Sequence, residues 1–161
     1  MASRMPRRTA GSPSILFDAG HGEEVTPEET DISKLKALLQ GNGFKLATLR
    51  ATITPAALKP HRVCVLGNPL SATFSKRETA AVEAFVKAGG GLCMVSGATI
   101  FGKGGDQARK TNLNAIAQRF GLGFSDKAIQ HPSANAEAEG AIDAFVATLA
   151  EAHPVTQGVV R

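Results

Sequence analysis

Residues 15–24 read ILFDAGHGEE, and the identity of this stretch decides the fold. Three apolar side chains run into an aspartate, two glycines bracket a histidine, and two glutamates follow. A short continuous apolar run, Ser14 to Phe17 ending at Asp18, reads as a buried strand. The loop behind it is either the mouth of a site or a tight turn.

The rest of the chain fits a strand there. Glu28, Glu29 and Asp31 suit the start of a helix, where negative charge meets the positive end of the dipole. Ile32, Leu35, Leu38 and Leu39 follow at helical spacing, and Gly41 and Gly43 stop the run. Phe44 to Leu49 is the second strand, and Thr54-Pro55 opens a short helical turn. Arg62 to Leu66 is the third strand, cut by Gly67-Asn68-Pro69. Ser75 is a good N-cap, with Glu78 placed for a capping box. Val82, Phe85 and Val86 give that helix its stripe, and Gly89-Gly90-Gly91 end it. Leu92 to Val95 is the fourth strand, ended by Ser96-Gly97. Asn112 begins a further helix through Leu113, Ile116, Ala117 and Phe120, stopped at Gly121. Short apolar strands alternating with helices predict an α/β domain with a largely parallel sheet covered on both faces. HPSANAEAEGA (131–141) reads as an exposed loop, and Ile142, Phe145, Val146 and Leu149 fit a helical stripe or an edge strand.

Composition bounds the function. The chain has 161 residues, 43% hydrophobic and 20% charged, enough for a sizeable core. No apolar run reaches the roughly 20 residues of a membrane span. Of the formal charge of +4, Arg4, Arg7 and Arg8 supply three, so residues 1–13 read as a flexible basic tail on a near-neutral body. Tyr and Trp are absent, so nucleic acid is not an expected partner. The tail has no apolar run of a secretory signal. Cys64 and Cys93 lie in apolar runs and read as two reduced, buried thiols of a cytoplasmic protein.

Three strand ends are polar: Asp18 to Glu24, Gly67-Asn68-Pro69, and Ser96 to Thr99. In a parallel sheet they share one edge, where ligands of open α/β sheets bind. Six carboxylates and no Lys or Arg lie between Asp18 and Asp31. Such a loop can accept hydrogen bonds from the hydroxyls of a sugar or polyol, or hold a hard cation. The plain alternative is a solvated helix entry. His21 has no H-x-H or H-E-x-x-H partner, and His61, His131 and His153 are scattered, so the spacing predicts no metal site and no cofactor. GATIFGKGG (97–105) matches only the first part of a phosphate loop, with Gly104 where the magnesium hydroxyl belongs. Ser96 stands where a nucleophile would, but Met94 and Ala98 replace the glycines of the usual elbow.

The order of these motifs carries a resemblance. ILFDAGHGE, a strand ending in GNP, F-S-x-x-E with AFVKAGGGL, NLNAIAQRFGLGF and HPVTQGV together resemble the class I glutamine amidotransferase-like superfamily. Within it the order looks like the GIFT-type domains of gliding-motility and intraflagellar-transport proteins. AFVKAGGGLCMVSGA is also similar to the ThuA-like branch. The likeness covers residues 14 to about 160. It implies a flavodoxin-like three-layer sandwich in a single domain, 14–161. It also implies a module without the amidotransferase cysteine, because the nucleophile position falls at Ser96 and not at Cys93. Asp18, His21, Glu23 and Asn68 match the GIFT pattern and, with Ser96, would line a ligand pocket. Similar domains continue with further strands after HPVTQGV, so the chain is expected to be a truncated domain or to take its last strands from elsewhere. The resemblance makes 142–149 a strand, whereas the residue pattern favours a helix.

The expectation is therefore a non-catalytic ligand-binding or assembly module, whose partner is a hydroxyl-rich small molecule or another protein. The alternative is a hydrolase or amidotransferase-like enzyme with Ser96 as nucleophile.

Overall fold

A computed structural model describes residues 12–29, 32–96 and 107–124, all within one unit, Met1–Asp126. Four strands, β1 (Ser14–Asp18), β2 (Lys45–Leu49), β3 (Val63–Gly67) and β4 (Gly91–Val95), form one sheet in the order β2-β1-β3-β4. Every neighbouring pair is parallel, with Ile15 opposite Leu46 on one side and Val63 on the other. This matches the start of the flavodoxin-like order 2-1-3-4-5, whose direction of winding reverses between β1 and β3.

The pleat divides the side chains between two layers. Leu16, Cys64 and Leu66 face one side, where α2 (Pro55–Leu58), α3 (Lys76–Lys87) and α5 (Leu113–Ala117) supply Leu58, Ala81, Val82, Leu113 and Ile116. Ile15, Phe17 and Val65 face the other side and meet Ile32 and Leu39 around α1 (Ser33–Gly41). Helices on both faces of a parallel sheet give the expected three layers.

The local signals act as read. Thr54 caps α2, accepting a hydrogen bond from the Ala57 N–H at 3.2 Å. Ser75 and Glu78 close a complete capping box on α3. Gly89 takes φ +92° after α3, and Gly121 takes φ +72° after a 3-10 turn (Gln118–Phe120) that extends α5. A further helical turn, α4 (Gln107–Lys110), was not predicted from sequence.

Two expectations are corrected. The first turn of α1 carries no acidic residue, and Glu28 and Glu29 precede the helix in a turn closed by the Glu29 N–H on the Thr26 carbonyl at 3.1 Å. Cys64 is buried, but Cys93 is exposed. The pleat puts Cys93 on the α1 side of the sheet, and among the described residues the apolar layer there spans β1, β2 and β3 but not β4. The Gly97–Gly105 loop, His131, His153, the 131–141 loop and the 142–149 segment lie outside the described residues. Among the described residues no helix is long and apolar enough to cross a membrane.

Candidate functional site

The acidic loop leaves β1 at the point where the sheet reverses direction. Its backbone is fastened to the end of β3: the Val25 N–H donates to the Gly67 carbonyl at 3.0 Å. That contact requires glycine at 67, because a Cβ there would stand 2.5 Å from the Val25 carbonyl oxygen. Gly22 takes φ +72°, and a Cβ on it would meet Ser71 Oγ at 2.3 Å. Both glycines let two loops from different strands close on each other.

His21 stands at the centre. Its Nδ1 lies 2.6 Å from Asp18 Oδ2, and its Nε2 lies 3.3 Å from Glu78 Oε1. Its backbone N–H donates to Glu23 Oε2 at 2.9 Å, and its carbonyl accepts from the Leu70, Ser71 and Ala72 N–H groups. Phe74 covers the ring, with centroids 4.0 Å apart. Glu78 serves two structures at once. Oε2 takes the Ser75 N–H and hydroxyl of the capping box, while Oε1 takes the Ile53 N–H at 3.1 Å and faces His21. Asp18, His21, Glu23 and Glu78 are 1%, 5%, 7% and 4% exposed.

Burial sets the charges, and the neighbours then redirect them. Burial pushes the Asp18 carboxyl up, but its contacts with His21 and Glu23, the His21 charge and the Gly20 N–H hold it below the ordinary range. Burial pushes His21 down, yet the hydrogen bond and charge of Asp18, with Glu78 and Glu23, raise it. Burial and the nearby Asp18 push Glu23 up to about 8. Burial also works against ionising Glu78, but its capping bonds, the Ile53 N–H and the His21 charge bring it below the usual value. The cluster thus favours a charged His21 between the carboxylates of Asp18 and Glu78, beside a Glu23 that holds its proton at neutral pH.

Asn68 adopts a left-handed φ of +56° and donates its side-chain amide to Glu24, next to the cluster. Ser96 directly follows β4, half-buried, one residue beyond the Val95 carbonyl that accepts the Asn68 N–H at 2.8 Å. Sequence reasoning therefore finds three strand ends on one edge, and the structure joins Asp18, His21 and Glu23 directly. It keeps Asn68 beside them through Glu24, and among the described residues it gives Ser96 no hydrogen bond to a histidine. Cys64, behind the cluster, is pushed up to about 12 by burial and then by Asp18 and Glu23, which makes it a poor nucleophile.

The sequence matches the IFT52 GIFT domain over residues 14–133. The chain belongs to the IFT52 GIFT domain family. Among solved structures, the mmIFT52 N-terminal domain is 23% identical, with a TM-score of 0.57, over 66% of this chain and 43% of that one. At that identity the likeness establishes the fold alone. A ThuA-like protein from Bacteroides uniformis is 24% identical over 56% of this chain and 39% of that one, with a TM-score of 0.39. The chain spans less than half the length of either. No sequence among curated proteins matches it.

Within this GIFT domain, sequence reasoning missed Glu78 and Phe74 as site residues. The capping box already accounted for Glu78, and only the pairing of β1 with β3 brings the start of α3 to the β1 loop. Elsewhere on the described surface, Pro55, Leu58, Ala81, Ala84 and Phe85 line an apolar groove between α2 and α3, apart from the cluster.

Proposed function

We propose that this GIFT domain is a non-catalytic protein-assembly module of the amidotransferase-like fold, working in the cytoplasm. One observation carries the reading: the polar groups at the carboxyl edge are turned inward. Asp18, His21 and Glu23 are buried and engage one another, and Asn68 is bonded to Glu24. A sugar or polyol at this edge would have to break those bonds before making its own, whereas a protein partner can use the closed surface as it stands. Membership of the IFT52 GIFT family and two free thiols are in keeping with the reading.

The enzyme alternative needs a base within about 3 Å of Ser96. The described histidines are otherwise engaged, His21 with Asp18 and His61 with Ser14 Oγ at 2.8 Å at the opposite end of β1. The test runs three assays on the purified chain. Cross-linking in extracts of the source cells, followed by reconstitution with the purified partner, is expected to give a stoichiometric protein complex. A polyol panel is expected to give no thermal shift, and ester and amide panels no turnover. Turnover lost in Ser96→Ala would overturn the proposal in favour of a hydrolase. A polyol shift lost in Asp18→Asn would overturn it in favour of a ligand pocket lined by Asp18, His21, Glu23, Asn68 and Ser96.

A further inference from the structure

The cluster contains one group that its internal bonds leave unexplained. Glu23 Oε1 is buried and receives no N–H, and the neighbouring Asp18 carboxyl can bond it only by sharing a proton, whereas every other polar atom of the three residues facing this centre is engaged. Burying a polar oxygen unpaired is costly, and native folds seldom do so without a reason. This oxygen lies 3.7 Å from His21 Nδ1, on the side where Asp18 Oδ2 also lies. One atom from each of Asp18, His21 and Glu23 falls within 4.8 Å of the other two.

The second polar atom of each residue is tied down. Asp18 Oδ1 accepts the Gly20 N–H at 3.2 Å, Glu23 Oε2 accepts the His21 N–H at 2.9 Å, and His21 Nε2 faces Glu78 Oε1 at 3.3 Å. Histidines that bind metals almost always present their second ring nitrogen to such an acceptor, which fixes the tautomer and aims the ligating nitrogen. Glu78 is itself fixed by Ser75 and Ile53. The arrangement is a set of three donors, one nitrogen and two oxygens, each steered from behind.

We infer that Asp18, His21 Nδ1 and Glu23 Oε1 form a binding site for one divalent first-row transition ion, zinc foremost, with Glu78 as the positioning residue behind the imidazole. The imidazole favours zinc over magnesium or calcium, which prefer all-oxygen sites. Metal–ligand bonds of about 2.0–2.2 Å at a tetrahedral angle set donors about 3.3–3.6 Å apart, so the ion would displace the proton between Asp18 and His21 Nδ1 and widen that pair from its 2.6 Å. With each ligand at least nine-tenths buried, the ion is structural and enters as the chain folds. The site is independent of the assembly reading, since a scaffold module and a hydrolase could both hold such an ion.

The test uses the full chain without an affinity tag. Elemental analysis after purification in chelator-free buffer is expected to find about one zinc per chain. After chelation, added Zn²⁺ is expected to raise Tm in a dose-dependent way, Mg²⁺ and Ca²⁺ are not, and Co²⁺ is expected to give visible d–d absorption. Glu23→Gln keeps the side chain's shape and is expected to fold, as judged by circular dichroism, while losing the Zn²⁺ response and the cobalt bands. Glu78→Gln is expected to weaken zinc binding roughly 10–100-fold without abolishing it. A protein that carries no zinc and shows no Zn²⁺ shift would overturn the inference and leave Glu23 as a proton-sharing partner of Asp18. A Zn²⁺ response that survives both Glu23→Gln and Asp18→Asn would overturn it too, by placing the ion elsewhere.

Discussion

His21 is engaged at its backbone N–H, its carbonyl and both ring nitrogens, so the pH at which the fold is strongest is set largely around it. For chelated protein the signs follow from linkage. Asp18 and Glu78 are held low, so their contribution is complete above the ordinary carboxylate range and is lost as pH falls through their folded values. His21 is raised, so its contribution is complete below 6.5 and is lost as pH rises through its folded value. Glu23 ionises at about 8 in the fold against 4.5 ordinarily, so stability declines across that interval. Thermal unfolding should therefore show a maximum in mildly acidic solution, about pH 5, and a falling Tm toward pH 8. Glu23→Gln should remove its share of the alkaline decline, and a Tm that rises from pH 5 to 8 would refute this charge assignment. The glycines give a second test at this scale. Gly67→Ala drives a Cβ to 2.5 Å from Val25 O and should cost about 1–3 kcal/mol in urea denaturation. Gly41→Ala, with nothing within 4 Å, should be neutral or stabilise by about 0.4–1 kcal/mol.

At the scale of elements, α3 begins with a carboxylate shared between its cap and the site. Ser75→Ala should cost about 1 kcal/mol, as for an ordinary N-cap. Glu78→Ala should cost more, because it also strips the acceptor from the buried Ile53 N–H and from His21 Nε2, at about 1–3 kcal/mol for each buried donor left unpaired. Equal losses in chemical denaturation would show that Glu78 is only a cap. The start of α3 was legible in the sequence because capping follows from neighbours three residues apart. Its second function was not, since it depends on His21, which only the tertiary fold brings near. The strands were legible for the same local reason, each being a short apolar run between turn residues. The acidic turn before α1 was misread as a helix start, because carboxylates favour both settings and composition does not separate them.

At the scale of the molecule, the strand order explains why Asp18, His21 and Glu23 could be picked out while their closure could not. Periodicity assigns residues to faces, but nothing local says that the loop after β1 will be covered by the segment after β3. The same limit explains Cys93, whose apolar neighbours suggest burial although, among the described residues, the α1-side layer covers β1 to β3 and leaves it exposed. In the native protein a thiol reagent should label Cys93 quickly and Cys64 only on unfolding, and equal rates would contradict the layer assignment. The fastening of His21 also bears on the route of folding. Ser71 Oγ and the His21 carbonyl it binds are 50 residues apart in the chain, and Asn68 and Glu24 are 44 apart. A nascent β1–α1–β2 segment contains the local Asp18–His21–Glu23 bonds, but their fastening by Ser71, Asn68 and Glu78 must await docking of β3 and α3. Such long-range closure is slow compared with helix formation, so a probe at His21 is expected to report a stage of folding later than local helix formation.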